Sequence, residues 1–524
     1  MLYKIVSIVG SLTFLSRILG YFRDLLIARV VGASMISDCF FVAFKLPNLF
    51  RRIFGEGAMN AAFIPIVSGI KSKSGLENSD KFFSSIFSFL LVFLTIFVII
   101  AEIFMPLIIT ILAPGFVSND GKFLLAVDLS RLAFPFVLFV CLTSLMGAYM
   151  NTLGKFASMA ITPIILNLTL IFVLIIFFNV DNKIVISRSL SFTISIAGLF
   201  QLIWMYFIIK RNKRTLSINF LIISKFQKIK EVRKFLNLLI PAILGNGAYQ
   251  INLLIDMILA STLPDGSISY LYYADRINQL PLGVLGIAIS TALLPVLSLQ
   301  MKEKKKKKAN SSISSAIKMG IFLSIPAFIG LLIFSKEIIY FLFFRGAFDL
   351  DDVNLTSTAL MALCFGLPAF IMIKILVVPF FANEDTKTPI KVALLCMIIN
   401  LILNLILIRD FLHVGLAIST SIAAWINAII LSILLHKKLG FVFQVSIIKV
   451  FIKVLIASVV MSVFTTKLFK FLQLNLLNLD FFSTNLSLIT CIIFGIIVYL
   501  VAIYILGTKE LELKKWKSQK KKIT

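Results

Sequence analysis

Residues 16–24 read Ser16-Arg17-Ile18-Leu19-Gly20-Tyr21-Phe22-Arg23-Asp24, and residues 38–58 read Asp38-Cys39-Phe40-Phe41-Val42-Ala43-Phe44-Lys45-Leu46-Pro47-Asn48-Leu49-Phe50-Arg51-Arg52-Ile53-Phe54-Gly55-Glu56-Gly57-Ala58. Both stretches lie in runs otherwise apolar enough to form membrane helices. An Arg or Asp at the centre of such a helix costs about 2.5–3.5 kcal/mol on insertion scales, so a chain keeps a set of them by facing it into a polar cavity. That makes the opening of this chain a candidate transport pathway. At about 100° per residue, Asp38, Lys45, Arg52 and Glu56 fall within about 40° of one face if the helix runs on through Pro47.

Working outward, 60% of the 524 residues are hydrophobic, 14% are charged and 51 are Phe, and the mean hydropathy is +1.03. Those values exclude a soluble globular chain and predict an all-α polytopic membrane protein. A hydrocarbon core of about 30 Å takes around 20 residues to cross. On that measure about 14 spans are expected, over 3–30, 36–69, 82–113, 124–150, 157–179, 184–209, 235–262, 270–299, 312–334, 356–382, 389–408, 413–436, 446–472 and 485–507. The start reads as the first of these and not as a cleavable signal peptide. Arg17, Arg23 and Asp24 interrupt the place of an apolar h-region, and no A-x-A-like site follows.

Loops kept in the cytoplasm hold the excess of Lys and Arg. Alternate loops carry Lys71, Lys73 and Lys81, then Lys155, then the run from Lys210 to Lys234, Lys302 with Lys304 to Lys308, Lys387 and Lys391, His436 to Lys438, and the tail from Lys509 to Lys522. The opposite loops are poorer in basic residues and carry Asp120, Asp181, Asp265, Asp349, Asp351, Asp352 and Asp480. Both termini are therefore predicted to be cytoplasmic. The net charge of +27 is scattered through loops and forms no basic face with interleaved aromatics, which argues for topology and anionic membrane lipids and against nucleic acid. Cys39, Cys141, Cys364, Cys396 and Cys491 all fall in apolar spans at no ligand spacing and read as buried small hydrophobes.

An internal duplication emerges when the punctuation residues are aligned. Leu46-Pro47 matches Leu280-Pro281, Pro65 matches Pro295, Gly115 matches Gly346, Pro135 matches Pro368, Ala148 to Asn151 matches Phe380 to Asn383, and Thr162-Pro163 matches Thr388-Pro389. Offsets that stay so close argue for two six-helix repeats. The expected organisation is an N-lobe over 1–210, a basic cytoplasmic linker over 211–234, a C-lobe over 235–438, two further helices over 439–508 and a basic cytoplasmic tail over 509–524. Repeats with an even number of spans keep one orientation, with a cavity between them. Gly10, Gly20, Pro47, Gly55 and Gly57, with Pro281, Gly283 and Gly286 in the eighth span, loosen the backbone at the depth of the charges. Structural pairing is the alternative use of those charges: Arg17 with Asp24 through a third group, or Arg52 with Glu56 at i, i+4. The basic residues outnumber the acids, however, and a surplus of guanidinium groups suits an anionic, phosphate-bearing ligand.

The two opening stretches resemble the MurJ (also MviN) lipid II flippase family of the MOP exporter superfamily. Tyr273-Ala274-Asp275-Arg276-Ile277-Asn278-Gln279-Leu280-Pro281-Leu282-Gly283-Val284-Leu285-Gly286 resembles that family's eighth-helix signature, and the likeness spans essentially the whole chain. The resemblance implies a flippase that carries lipid II, an undecaprenyl pyrophosphate bearing a disaccharide pentapeptide, across the bacterial inner membrane by alternating access. It implies no covalent chemistry. The family's central-cavity charges fall on Arg17, Arg23, Asp24, Asp38, Arg51, Glu56 and Arg276, with Arg52 added from its place on the polar face. The helices over 439–508 would form a groove for the polyprenyl tail. Cell wall synthesis machinery is a further partner to be expected.

Asp256 is a lone acid in the seventh span, while Asn400, Asn404 and Thr420 lie on the eleventh and twelfth. Oxygen groups on three helices make a candidate sodium site. Some family members carry such a site with a second acid where this chain has Asn404, and a single carboxylate should weaken it. A MATE-like or polysaccharide-lipid exporter of the same superfamily is the alternative function, and would read a different cargo. A non-transporting scaffold leaves the buried charges and the duplication without a purpose. His413 and His436 fall at helix ends and read as loop residues.

Overall fold

The helices of this chain break at a few residues of unusual backbone angle, and prolines lie inside several that continue. A computed structural model describes residues 2–218, 230–475 and 481–507, and every regular element among them is helical. Residues 219–229 of the expected linker and the expected tail over 509–524 lie outside the described residues. Nine helices among the described residues are long and apolar enough to cross a bilayer. Two of these exceed one crossing, Met35–Ile103 at 69 residues and Lys387–Leu439 at 53. The first is interrupted at Gly75, with φ 82°, and the second at Leu412, with φ 50° and ψ −130°. A glycine takes the positive φ at position 75 without a Cβ penalty.

The helix Met35–Phe50 runs through Pro47 and passes directly into a π-helical stretch, Arg51–Ala58, after which Met59 donates back to the carbonyl of Phe54. Proline removes one N–H from the ladder and crowds the carbonyl four residues earlier. A wider i→i+5 turn is one way for the helix to continue past that defect. The same order of events recurs where Ser267–Pro281 meets the π-helical Leu282–Gly286 and then Ile287–Lys302. The two Leu-Pro dipeptides matched by the duplication thus share a backbone irregularity. Beyond Phe50 a wider turn advances fewer degrees per residue than the regular helical count used for the stripe expected on the second span.

Contacts divide the chain into two units, Met1–Ser269 with Arg345–Asp349, and Tyr270–Phe344 with Leu350–Thr524. In the first, Met59–Ile103 packs on Phe136–Thr152, Leu2–Val31 packs on Thr162–Ile176, and Lys183–Arg211 packs on both partners. Aromatic rings fill the interior, with Phe83 stacked on Tyr149 at 4.3 Å between centroids and Phe63 edge-on to Phe235. The Tyr149 hydroxyl donates to Asp80, which lies 3.7 Å from Arg214 and so fastens the chain just after Lys183–Arg211. The short segment Arg345–Asp349 seats on the end of the first helix, where Ala347 donates to the Arg29 carbonyl at 2.8 Å. Gly32 permits that approach, since its φ is +78° and a Cβ there would stand 2.4 Å from the Ala347 carbonyl oxygen.

In the second unit, Ile317, Ile321, Leu367, Ile371, Val450 and Val454 share one core. The Tyr499 hydroxyl closes onto the Phe322 carbonyl at 2.7 Å. Lys387–Leu439 begins under Asp385, whose carboxylate accepts from the Thr388 hydroxyl and amide. Those two bonds hold the Asp385 carboxyl below the usual carboxylate range. All five cysteines are buried and unbridged, as their apolar settings imply.

Candidate functional site: a charged first helix and its partners

Leu2–Val31 carries three of the expected charges and treats them differently. Arg17 is exposed, whereas Arg23 and Asp24 are 4% and 0% exposed. Nε and Nη2 of Arg23 donate to Oδ1 of Asp24 at 3.0 and 2.7 Å, and Nη1 donates to Oδ1 of Asn167 at 3.0 Å. The guanidinium also lies 5.4 Å from the centre of the Phe44 ring. The pairing weighed from spacing, Arg17 with Asp24, gives way to one between sequence neighbours. An arginine stem is long enough to fold back along its own helix, and two nitrogens of its fork reach one carboxylate oxygen at once.

Asp38 belongs to a second hydrogen-bonded group in the same unit. It is 1% exposed. Its Oδ2 accepts from the Gly266 amide at 2.8 Å, and its Oδ1 accepts from the Ser269 amide and hydroxyl at 2.9 and 2.7 Å. The carboxylate thus caps the start of Ser267–Pro281, where amides lack helical acceptors and the helix dipole favours negative charge. Lys122 stands 3.9 Å from Asp38 and 2.6 Å from Asp265, with its ammonium 4.2 Å from the Phe116 ring centre. Beside it opens a cavity of about 410 Å³ lined by Asn119, Lys122, Ser261, Thr262 and Asp265 among others.

Along the second span, Lys45 and Arg52 are half-buried and Nε of Arg51 donates to Asn48 at 3.0 Å. The side chain of Glu56 lies outside the described residues. In the second unit, Arg276 is half-buried; its Nη2 donates to the Tyr272 hydroxyl at 2.7 Å and its guanidinium lies 4.8 Å from the centre of that ring. Next to it, Gln279 donates to Asp275.

Asn404 donates to Asn400 at 3.2 Å, and Asn400 donates to Thr420 at 3.4 Å. These three neutral groups come together in the second unit; Asp256 lies on Lys230–Ala260. His413 is buried, bonded to the Leu355 carbonyl at 3.0 Å and packed on Tyr270.

Sequence reasoning passed over Asn167, Lys122 and Lys374. Asn167 is the one amide in the apolar run Thr162–Ile176, a signal that was available. Lys122 sits in the first turn of Asp120–Ala133, where a lysine reads as a loop charge. Lys374 lies on Leu367–Leu376 and is exposed, its Cγ 3.6 Å from where a Cβ at Gly286 would stand.

An all-helical chain whose apolar helices carry paired and part-buried charges is a polytopic membrane transporter in class. The family model "Lipid II flippase MurJ" matches residues 27–487. A Rickettsia prowazekii protein named probable lipid II flippase MurJ is 37% identical over 506 residues, covering 96% of this chain and 98% of that one. A Haemophilus influenzae protein of the same name is 34% identical, covering 95% and 99%. A solved structure described as lipid II flippase MurJ in an inward closed conformation aligns with a TM-score of 0.78 at 31% identity, covering 95% of this chain and 98% of that chain. The chain belongs to the MurJ family. An inward-facing MATE family multidrug transporter of the MOP superfamily aligns with a TM-score of 0.68 at 13% identity, over 83% of this chain and 98% of its own, a likeness of fold alone.

Proposed function

We propose that this chain is a lipid II flippase, a multi-pass inner-membrane transporter that moves the polyprenyl-pyrophosphate-linked cell wall precursor from the cytoplasmic to the outer leaflet. Membership of the MurJ family along almost the whole chain carries the reading. Its chemistry agrees, since Arg17, Arg23, Arg51, Arg52 and Arg276 supply the cationic surplus that a pyrophosphate requires. Two six-helix lobes rocking about the cargo would give alternating access. Membrane lipids and the cell wall synthesis machinery are its proposed surroundings. The direct test is rescue of a flippase-depleted bacterium, scored by exposure of the precursor on the outer leaflet. Growth without that exposure would reject the transport reading.

The proposed orientation places both termini in the cytoplasm. Single cysteines introduced near Lys155 and Lys387 are expected to resist an impermeant thiol reagent added to intact cells, and those near Asp120 and Asp351 to react. Opposite accessibility within either pair rejects both the topology and the parallel relation of the repeats.

Sodium is proposed as a co-ligand at Asn400, Asn404 and Thr420. Their oxygens form a compact set of hard donors in the second unit, and ligand charge tunes the affinity of such sites. Asn404→Asp is therefore expected to shift sodium stimulation of precursor flipping to lower concentration in a vesicle series at constant ionic strength. An unchanged sodium response in that variant would count against the assignment.

A further inference from the structure

We propose that Asn167 is a positioning residue for cargo recognition. It fixes the direction in which the Arg23 guanidinium is presented to the pyrophosphate, an inference that rests on the flippase reading above. Asn167 is 5% exposed on Thr162–Ile176, a helix otherwise built of apolar residues and threonine with one proline. Both ends of its amide are directed at Leu2–Val31. Oδ1 accepts from Nη1 of Arg23 at 3.0 Å, and Nδ2 donates to the Ser16 carbonyl at 2.9 Å. Asparagine is the shortest side chain that offers a donor and an acceptor from one planar group. A buried amide in an apolar helix is costly unless its bonds are made, so its presence points to the partners it meets.

The backbone of the first helix is shaped to receive it. A Cβ at Gly20 would stand 3.3 Å from Nδ2 of Asn167, closer than side chains ordinarily tolerate, so the glycine clears the approach.

The test is binding of undecaprenyl pyrophosphate to the purified full-length chain, with thermal unfolding followed in parallel. Asn167→Ala and Arg23→Lys are each expected to weaken binding about tenfold or more, as loss of a charge-assisted bond would. The double variant is expected to bind no worse than the weaker single, because both changes spoil one guanidinium geometry. Gly20→Ala keeps every bonding group while displacing the amide, and is expected to fall between wild type and Asn167→Ala; it serves also if Asn167→Ala fails to accumulate. An Asn167 that acts only by packing would lower the unfolding midpoint and leave affinity unchanged, or would multiply with Arg23→Lys. Either result overturns the proposal, as does unaltered binding by Gly20→Ala. Failure of the wild type to bind the probe would remove the cargo reading itself, and is distinct from wild-type binding that Asn167→Ala leaves intact.

Discussion

Arg276→Ala is expected to abolish rescue of a flippase-depleted bacterium while the protein stays near its normal level in the membrane. Arg276 is half-buried, steadied by the Tyr272 hydroxyl at 2.7 Å and by the face of the same ring. It therefore retains a defined direction without being sealed into the core. Its replacement removes a planar, permanently charged group that pairs with phosphate oxygens through two donors. Each charge-assisted bond is worth about 1.5–3 kcal/mol, so loss of a bidentate contact amounts to roughly a hundredfold or more in cargo affinity. Arg276→Lys should recover only part of this, since a point charge lacks the fork. Immunoblots of membrane fractions beside the rescue assay separate the two effects. Full rescue by Arg276→Ala at matched expression would remove this residue from the cargo path.

The membrane class was legible from composition, because hydropathy averaged over hundreds of residues is insensitive to any local error. The likeness of Leu46-Pro47 to Leu280-Pro281 was legible, since proline leaves a mark wherever a helix must continue past it. The π-helical stretches that follow both dipeptides were not. Their changed hydrogen-bond register has no residue code beyond the glycines at 55, 57, 283 and 286, and those are equally at home in a regular membrane helix. Arg23 and Asp24 of the first span were legible as buried polar residues, whereas Arg17 is exposed, and the partners of the buried pair were not legible. Spacing along one helix suggested Arg17 for Asp24, whereas the contact that matters for Arg23 comes from Asn167, 144 residues away in the chain. Asp38 shows the same limit. Its place in an apolar span announced a function for the carboxylate, but nothing local announced Gly266 and Ser269 as its donors. A sequence reports which side chains a bilayer would reject, and the tertiary fold decides which of them face one another.

That distinction governs the outcome expected at Arg23. Arg23→Ala should lose rescue and also lower the membrane level and the unfolding midpoint, because it withdraws a guanidinium bonded through two nitrogens to a carboxylate that is 0% exposed. Removing one partner of a buried ion pair costs about 3–5 kcal/mol, while removing both and filling the space with apolar groups is often neutral. The pair Arg23→Met with Asp24→Leu should therefore regain a near-normal midpoint and membrane level. Rescue should remain absent, since the cation is gone even though the fold is repaired. Recovery of rescue in that double variant would assign Arg23 and Asp24 to a purely structural ion pair and leave cargo recognition to Arg17, Arg51, Arg52 and Arg276. A normal midpoint for Arg23→Ala alone would mean instead that water or another group reaches Asp24 in the membrane. Measuring the midpoint and the rescue on the same three proteins, wild type, Arg23→Ala and the double variant, separates the stability of the first helix from its part in transport.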